Sequence, residues 1–200
     1  MVRSLAAAGI VCAFAAPAFA GQISINFDGC AAGTPVASLN QPGVSFATIG
    51  SPSAQIAMGL PGTTPIDRDP QIVGSTAGIL SLNFNLPTSS FSFKFALNTT
   101  SAVAAAAQVR LYDTGGSMIA LVTAESLPNL AAGKSTGQVV VSAMGLVKSA
   151  MVEFASAAAA DFSLDDLAFI EPESVVPLPT PVVLGLAGLG LAAAIRLRRR

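Results

Sequence analysis

Apolar and polar residues alternate with a period of two through most of this chain, the pattern of strands that bury one face. The clearest run is Leu80, Leu82, Phe84 and Leu86, which stops at Pro87 and resumes at Phe91, Phe93, Phe95 and Leu97. Two such segments joined by Pro-Thr-Ser-Ser predict adjacent antiparallel strands. Ile23, Ile25 and Phe27 alternate in the same way as far as Asp28-Gly29, and residues 44–48 follow a Gln41-Pro42-Gly43 turn. Residues 109–112 meet 118–122 across Asp113-Thr114-Gly115-Gly116-Ser117, a hairpin signal. Further strands are predicted at 137–143, 150–155 and 162–170. The alanine-rich stretch 102–107 favours helix by intrinsic propensity, yet Val103, Val109 and the neighbouring strands draw it toward sheet. Roughly nine or ten strands at about ten-residue spacing indicate an all-β fold, a single antiparallel β-sandwich of jelly-roll type.

The two ends break this pattern. Residues 1–20 carry one positive charge at Arg3, an apolar stretch from Leu5 to Ala16, and a closing Ala18-Phe19-Ala20. That order is a secretory signal helix with cleavage before Gly21. Cys12 is preceded by Gly9-Ile10-Val11, without the small residue a lipoprotein site needs just before its cysteine. At the other end an uncharged apolar run, residues 181–195, is followed by Arg196, Arg198, Arg199 and Arg200. As a helix the run measures about 22 Å at roughly 1.5 Å per residue, short of a bilayer core of about 30 Å. Snorkelling arginines and local thinning make up the difference. The cluster anchors the C-terminus in the cytoplasm and leaves the preceding domain outside. The chain thus divides into a signal (1–20), a sandwich domain (21–172), a Pro-rich stalk (173–180) and a transmembrane helix with its basic tail (181–200).

Val176-Pro177-Leu178-Pro179-Thr180, followed by a short helix and an Arg-rich end, resembles the VPLPA-type variant of the PEP-CTERM sorting signal. Thr180 stands where that variant usually has alanine. The resemblance implies a surface-directed substrate of an exosortase-type membrane protease in a Gram-negative envelope, often alongside exopolysaccharide.

Charge sharpens the picture once the ends are set aside. Between residues 21 and 176 there are five cations against eleven carboxylates, a net of −6. An acidic exported domain argues against nucleic acid and anionic lipid, which demand a basic face. Cys30 is the one cysteine of this segment, so no internal disulfide forms. It serves as a small buried hydrophobe or as a cross-link between two chains. The chain has no histidine, which removes Ser–His–Asp and Cys–His catalysis and imidazole-ligated zinc. It has no tryptophan and one tyrosine, Tyr112, which weakens any carbohydrate site that relies on aromatic stacking. Asp113-Thr114-Gly115 matches an aspartic-protease signature, but that chemistry needs two carboxylates sharing a proton, and turn formation accounts for the sequence. Gly133-Lys134-Ser135 is the tail of a phosphate loop whose first-glycine position holds Pro128.

In residues 161–169 the apolar positions are even at Phe162 and Leu164 and odd at Leu167 and Phe169. A parity switch across Asp165-Asp166 predicts a β-bulge that re-aims a carboxylate. The Phe-x-Leu-Asp-Asp-Leu-x-Phe string resembles the closing strand of bacterial jelly-roll modules, whose opening strand often ends Phe-Asp-Gly, as Phe27-Asp28-Gly29 does. The resemblance implies paired terminal strands and a structural Ca²⁺ held by Asp28, Asp165 and Asp166, a cation suited to hard oxygen ligands. The expected function is a non-enzymatic structural or adhesive role at the cell surface or in extracellular matrix. The alternative is a calcium-assisted carbohydrate-binding module associated with exopolysaccharide.

Overall fold

The two apolar runs either side of Pro87 do not form a hairpin. They are one strand, β5 (Ile79–Leu97), and they lie against an equally long β8 (Lys134–Phe154), which absorbs both 137–143 and 150–155. The first half of β5 runs from Ile79 opposite Glu153 to Asn83 opposite Ser149; the second runs from Ser90 opposite Ser142 to Leu97 opposite Ser135. Between them the register takes five steps along β5 against two along β8, then two against five. Pro87 has no N–H to continue the ladder, so the strand bends where the proline falls. The interrupted ladder is repaired by side chains. Lys148 Nζ donates to the carbonyls of Phe84 and Asn85 at 2.7 and 2.9 Å. The buried Thr88 hydroxyl lies 2.7 Å from the carbonyls of both Ser90 and Ile170.

This computed structural model describes residues 21–50, 54–60 and 70–171. The expected signal segment, sorting motif, membrane helix and arginine cluster lie outside the described residues. Residues Ala20–Pro172 form one compact unit. Among the described residues no helix is long and apolar enough to cross a membrane.

The remaining strands are β1 (Gly21–Ile25), β2 (Val44–Ile49), β3 (Gln55–Ala57), β4 (Gln71–Ser75), β6 (Val103–Tyr112), β7 (Met118–Asn129) and β9 (Asp161–Glu171). All the pairings are antiparallel. Because β5 and β8 bend, each serves two layers. The first layer joins the second half of β5 to the first half of β8 and to β9, which in turn carries β1 and β4, with β3 beyond β4. The second layer runs β2, first half of β5, second half of β8, β6, β7. The far end of β7, from Ser126 to Asn129, pairs with the start of β8 and closes that side toward a barrel. The fold is the expected all-β sandwich, and the alanine-rich stretch lies in β6 as sheet.

The layers meet through phenylalanines. Phe154 of the second layer stacks on Phe162 of the first at 4.2 Å between ring centroids and tilts against Phe95 at 5.5 Å. Phe84 sits 5.3 Å from Phe91 and 5.2 Å from Phe169 at the other end of the core. Leu80, Leu82, Leu97, Val109, Leu111, Val152 and Leu164 fill the space between, none more than 1% exposed. The terminal strands pair, Gly21 with Glu171 through Ile25 with Leu167, as the jelly-roll resemblance implied.

Candidate functional site

The parity switch in the last strand is a bulge. Ser92 faces Ala168 but Lys94 faces Asp165, so two steps along β5 answer three along β9. Asp166 takes the left-handed backbone conformation, φ 51°, and its N–H donates to Asp165 Oδ1 at 2.8 Å. Carboxyl-bearing residues tolerate that conformation because the short side chain bonds its own backbone. On its other edge β9 changes partner at the same place, from β1, whose pairing ends with Ile25 opposite Leu167, to β4, whose pairing starts with Ile72 opposite Leu164. The bulge therefore marks the junction of three strands and turns Asp166 toward Lys94, with which it makes a 2.7 Å ion pair.

This pair stands beside a groove of about 460 Å³ on the outer face of the first layer. Cross-strand register sets its floor: Ala96 lies opposite Ser163 on one side and Thr136 on the other, and Ser163 lies opposite Val73. Ala96 and Ser163 are short and buried, so the floor is shallow and flat. Ala96 and Val73 pack with Leu60 in a small apolar cluster apart from the main core. Polar groups rise around it: Gln138 opposite Lys94 on β8, Gln71 at the start of β4, Lys134, and the two aspartates of the bulge. Gln71 and Lys134 are 4% and 5% exposed and line the groove from within the fold. Farther along the same face a smaller depression, about 230 Å³, is lined by Gln22, Ser90, Ser92, Ser142 and Ala168. Amides, hydroxyls and the Lys94–Asp166 pair share this face with exposed Val140.

Asp28 does not join this group. It is exposed in the turn after β1, where Phe27 has φ 56° and Cys30 N–H closes onto the Phe27 carbonyl at 2.8 Å. Its carboxylate accepts from Asn26 Nδ2. Among the described residues no three of Asp, Glu, Cys and His gather closely enough to hold a metal ion. Asp28, Asp165 and Asp166 are therefore not grouped as the resemblance implied. Cys30 is half-buried against the core and accepts from Gln41 Nε2 at 3.2 Å, lining a separate cavity of about 430 Å³ with Asn26, Thr34, Ser38 and Asn40.

The two decoy motifs are structural. Asp113 Oδ1 accepts from the N–H groups of Gly115 and Ser117 at 2.8 and 2.9 Å, and Gly116 supplies the positive φ, 78°, that closes the hairpin. Ser135 bonds Ser126 between hydroxyls at 2.9 Å inside the protein. On the outer face of the second layer Arg110 grips Glu153 through both nitrogens, and that hydrogen-bonded carboxylate holds the guanidinium above its ordinary value. Lys94, Gln138, Thr136 and Gln71 were not singled out by sequence reasoning. The signal was available: Lys94 and Ala96 are the off-beat positions between Phe93, Phe95 and Leu97, hence outward-facing by alternation.

No protein-family model matches the chain, and no curated protein matches it. Solved structures similar to it include the K2 cleaved adhesin domain of Lys-gingipain, at 13% identity and TM-score 0.49, covering 74% of this chain and 97% of that one. The CBM22-1 xylan-binding domain of Paenibacillus barcinonensis Xyn10C is 12% identical at TM-score 0.45, over 80% of this chain and 100% of that one. A variant of the family 29 carbohydrate-binding module CBM29-2 is 11% identical at TM-score 0.41, over 76% and 93%. These are likenesses of β-sandwich shape.

Proposed function

We propose that this chain is an exported, non-enzymatic binding module that takes a hydroxyl-rich polymer, an exopolysaccharide chain, on the outer face of its first layer. The observation that carries the reading is the groove beside the β9 bulge. It holds about 460 Å³, has a floor of the short side chains Ala96 and Ser163, and is rimmed by Gln71, Gln138, Thr136 and the Lys94–Asp166 pair. Hydroxyl-rich ligands are recognised by a few convergent donors and acceptors fixed on rigid elements, and these side chains stand on strands. Hydrogen bonding replaces the aromatic stacking that the chain lacks. Export through residues 1–20 and sorting by Val176-Pro177-Leu178-Pro179-Thr180 with an exosortase-type protease are part of the proposal, supported by the tripartite build of each end.

The test is affinity electrophoresis of the exported protein through gels containing exopolysaccharide from the producing strain, with calcium and with chelator. Retardation is expected in both. Gln138→Ala together with Thr136→Ala, both exposed, should weaken binding about tenfold, the equivalent of about 1.4 kcal/mol. Equal migration of parent and double variant, or no retardation of either, overturns the groove assignment.

A further inference from the structure

One edge of the second layer is left open. From Met118 to Ala124, β7 pairs on one side with β6; among the described residues nothing pairs with its other side until Ser126 meets Gly137 of β8. Such an edge presents a row of backbone N–H and C=O groups to any extended chain, and native proteins usually blunt it with lysine, proline or a very short strand. Here the sequence Met118-Ile119-Ala120-Leu121-Val122-Thr123-Ala124 carries no charge and no proline. Both faces are apolar. Ile119 and Leu121 are 40% and 53% exposed on the outer face, while Ala120, Val122 and Ala124 are only partly buried against the core, as if the interior continued past the edge.

We propose that this edge pairs with the same edge of a second copy of the chain, antiparallel across a two-fold axis. An isologous contact must be self-complementary, and this one is. With the axis at Leu121, Ala120 of one copy lies opposite Val122 of the other, and Met118 opposite Ala124, so inward-facing Ala120 and Val122 meet inward-facing residues. The acidic domain repels its own copy elsewhere, but in this register Glu125 falls opposite Ser117, and no like charges confront each other. The pairing makes one continuous sheet of two second layers and leaves the groove on the first layer free. A two-copy module presents two grooves to one polymer, which raises its avidity without a new contact in either site.

Residues directly opposite in an antiparallel pair have Cα atoms about 4.5–5.5 Å apart, within disulfide range. Full-length chain with Cys12→Ala and Cys30→Ala, exported in its host and mildly oxidised on intact cells, should form a band of twice the mass when it also carries Leu121→Cys. Ile49→Cys, equally exposed on the β2 edge of the same layer, should stay monomeric. Leu121→Lys in the native background should lower the mass of the purified protein from dimer to monomer with an unchanged circular dichroism spectrum. The proposal is overturned if Leu121→Cys cross-links no more than Ile49→Cys, if its adduct contains a different protein, or if Leu121→Lys remains dimeric.

Discussion

Thr88 shows how one hydroxyl supports a whole bend. It is completely buried, its oxygen lies within 2.7 Å of two carbonyls from different strands, and it accepts from Ser90 N–H at 3.3 Å. Those carbonyls stand beside the register shifts on either side of Thr88, where the regular ladder of β5 is interrupted. Thr88→Val keeps the shape and removes the hydroxyl, leaving the carbonyls of Ser90 and Ile170 short of a donor in a place water does not reach. An unsatisfied buried group costs about 1–3 kcal/mol. At roughly 2–4 °C per kcal/mol for a domain of this size, the melting temperature should fall by several degrees. Thr88→Ser, which retains the hydroxyl, should lose much less. Equal melting of the valine and serine variants in a calorimetric scan would show that the hydroxyl does not hold the bend.

At the scale of elements the alternation of apolar residues recovered seven of the nine described strands in whole or in part and missed β3 and β4, which are short or buried throughout, while the parity switch at Asp165-Asp166 located the bulge. What alternation does not encode is whether a break is a turn or a bend. Pro87 with Thr88, Ser89 and Ser90 has the composition of a hairpin loop, but β5 bends there and continues as one strand because β8 bends with it, and that match depends on residues some sixty positions away, Lys148 among them. The turn after β1 was illegible for another reason: it depends on a positive φ at Phe27, a non-glycine residue, which no sequence rule anticipates. The groove was half legible, since the two aspartates were flagged while Lys94 and Gln138 were passed over as ordinary outward positions. The shared strands make the interlayer contact at Phe154 sensitive. It bridges Phe95 and Phe162 and is 5% exposed. Phe154→Ala should cost about 3–5 kcal/mol, a large part of a domain's total of about 5–15 kcal/mol. Denaturant titration should show a lower midpoint with unchanged slope; a shift below about 1 kcal/mol would mean the layers are held elsewhere.

For the whole molecule, the position of the domain's ends decides what processing can do. The first residue of β1, Gly21, is the register partner of Glu171, the last residue of β9, so both terminal segments leave from one edge of the first layer. Cleavage between Ala20 and Gly21 therefore removes no strand residue, and loss of everything past 172 removes none either. All the described strands lie between these points, so the fold should survive loss of either end. Intact-mass measurement on the exported protein should find Gly21 at the N-terminus in any secreting host. In a host with an exosortase-type protease the apolar run 181–195 and the arginines Arg196–Arg200 should be missing from the mature protein. In an otherwise identical host lacking the protease they should be retained and hold the protein in the membrane fraction, with the same β-type circular dichroism once solubilised. A mature N-terminus at Met1 would refute the export signal. An identical C-terminus in both hosts would refute the sorting signal, and either result leaves the groove and its binding to be judged on their own measurements.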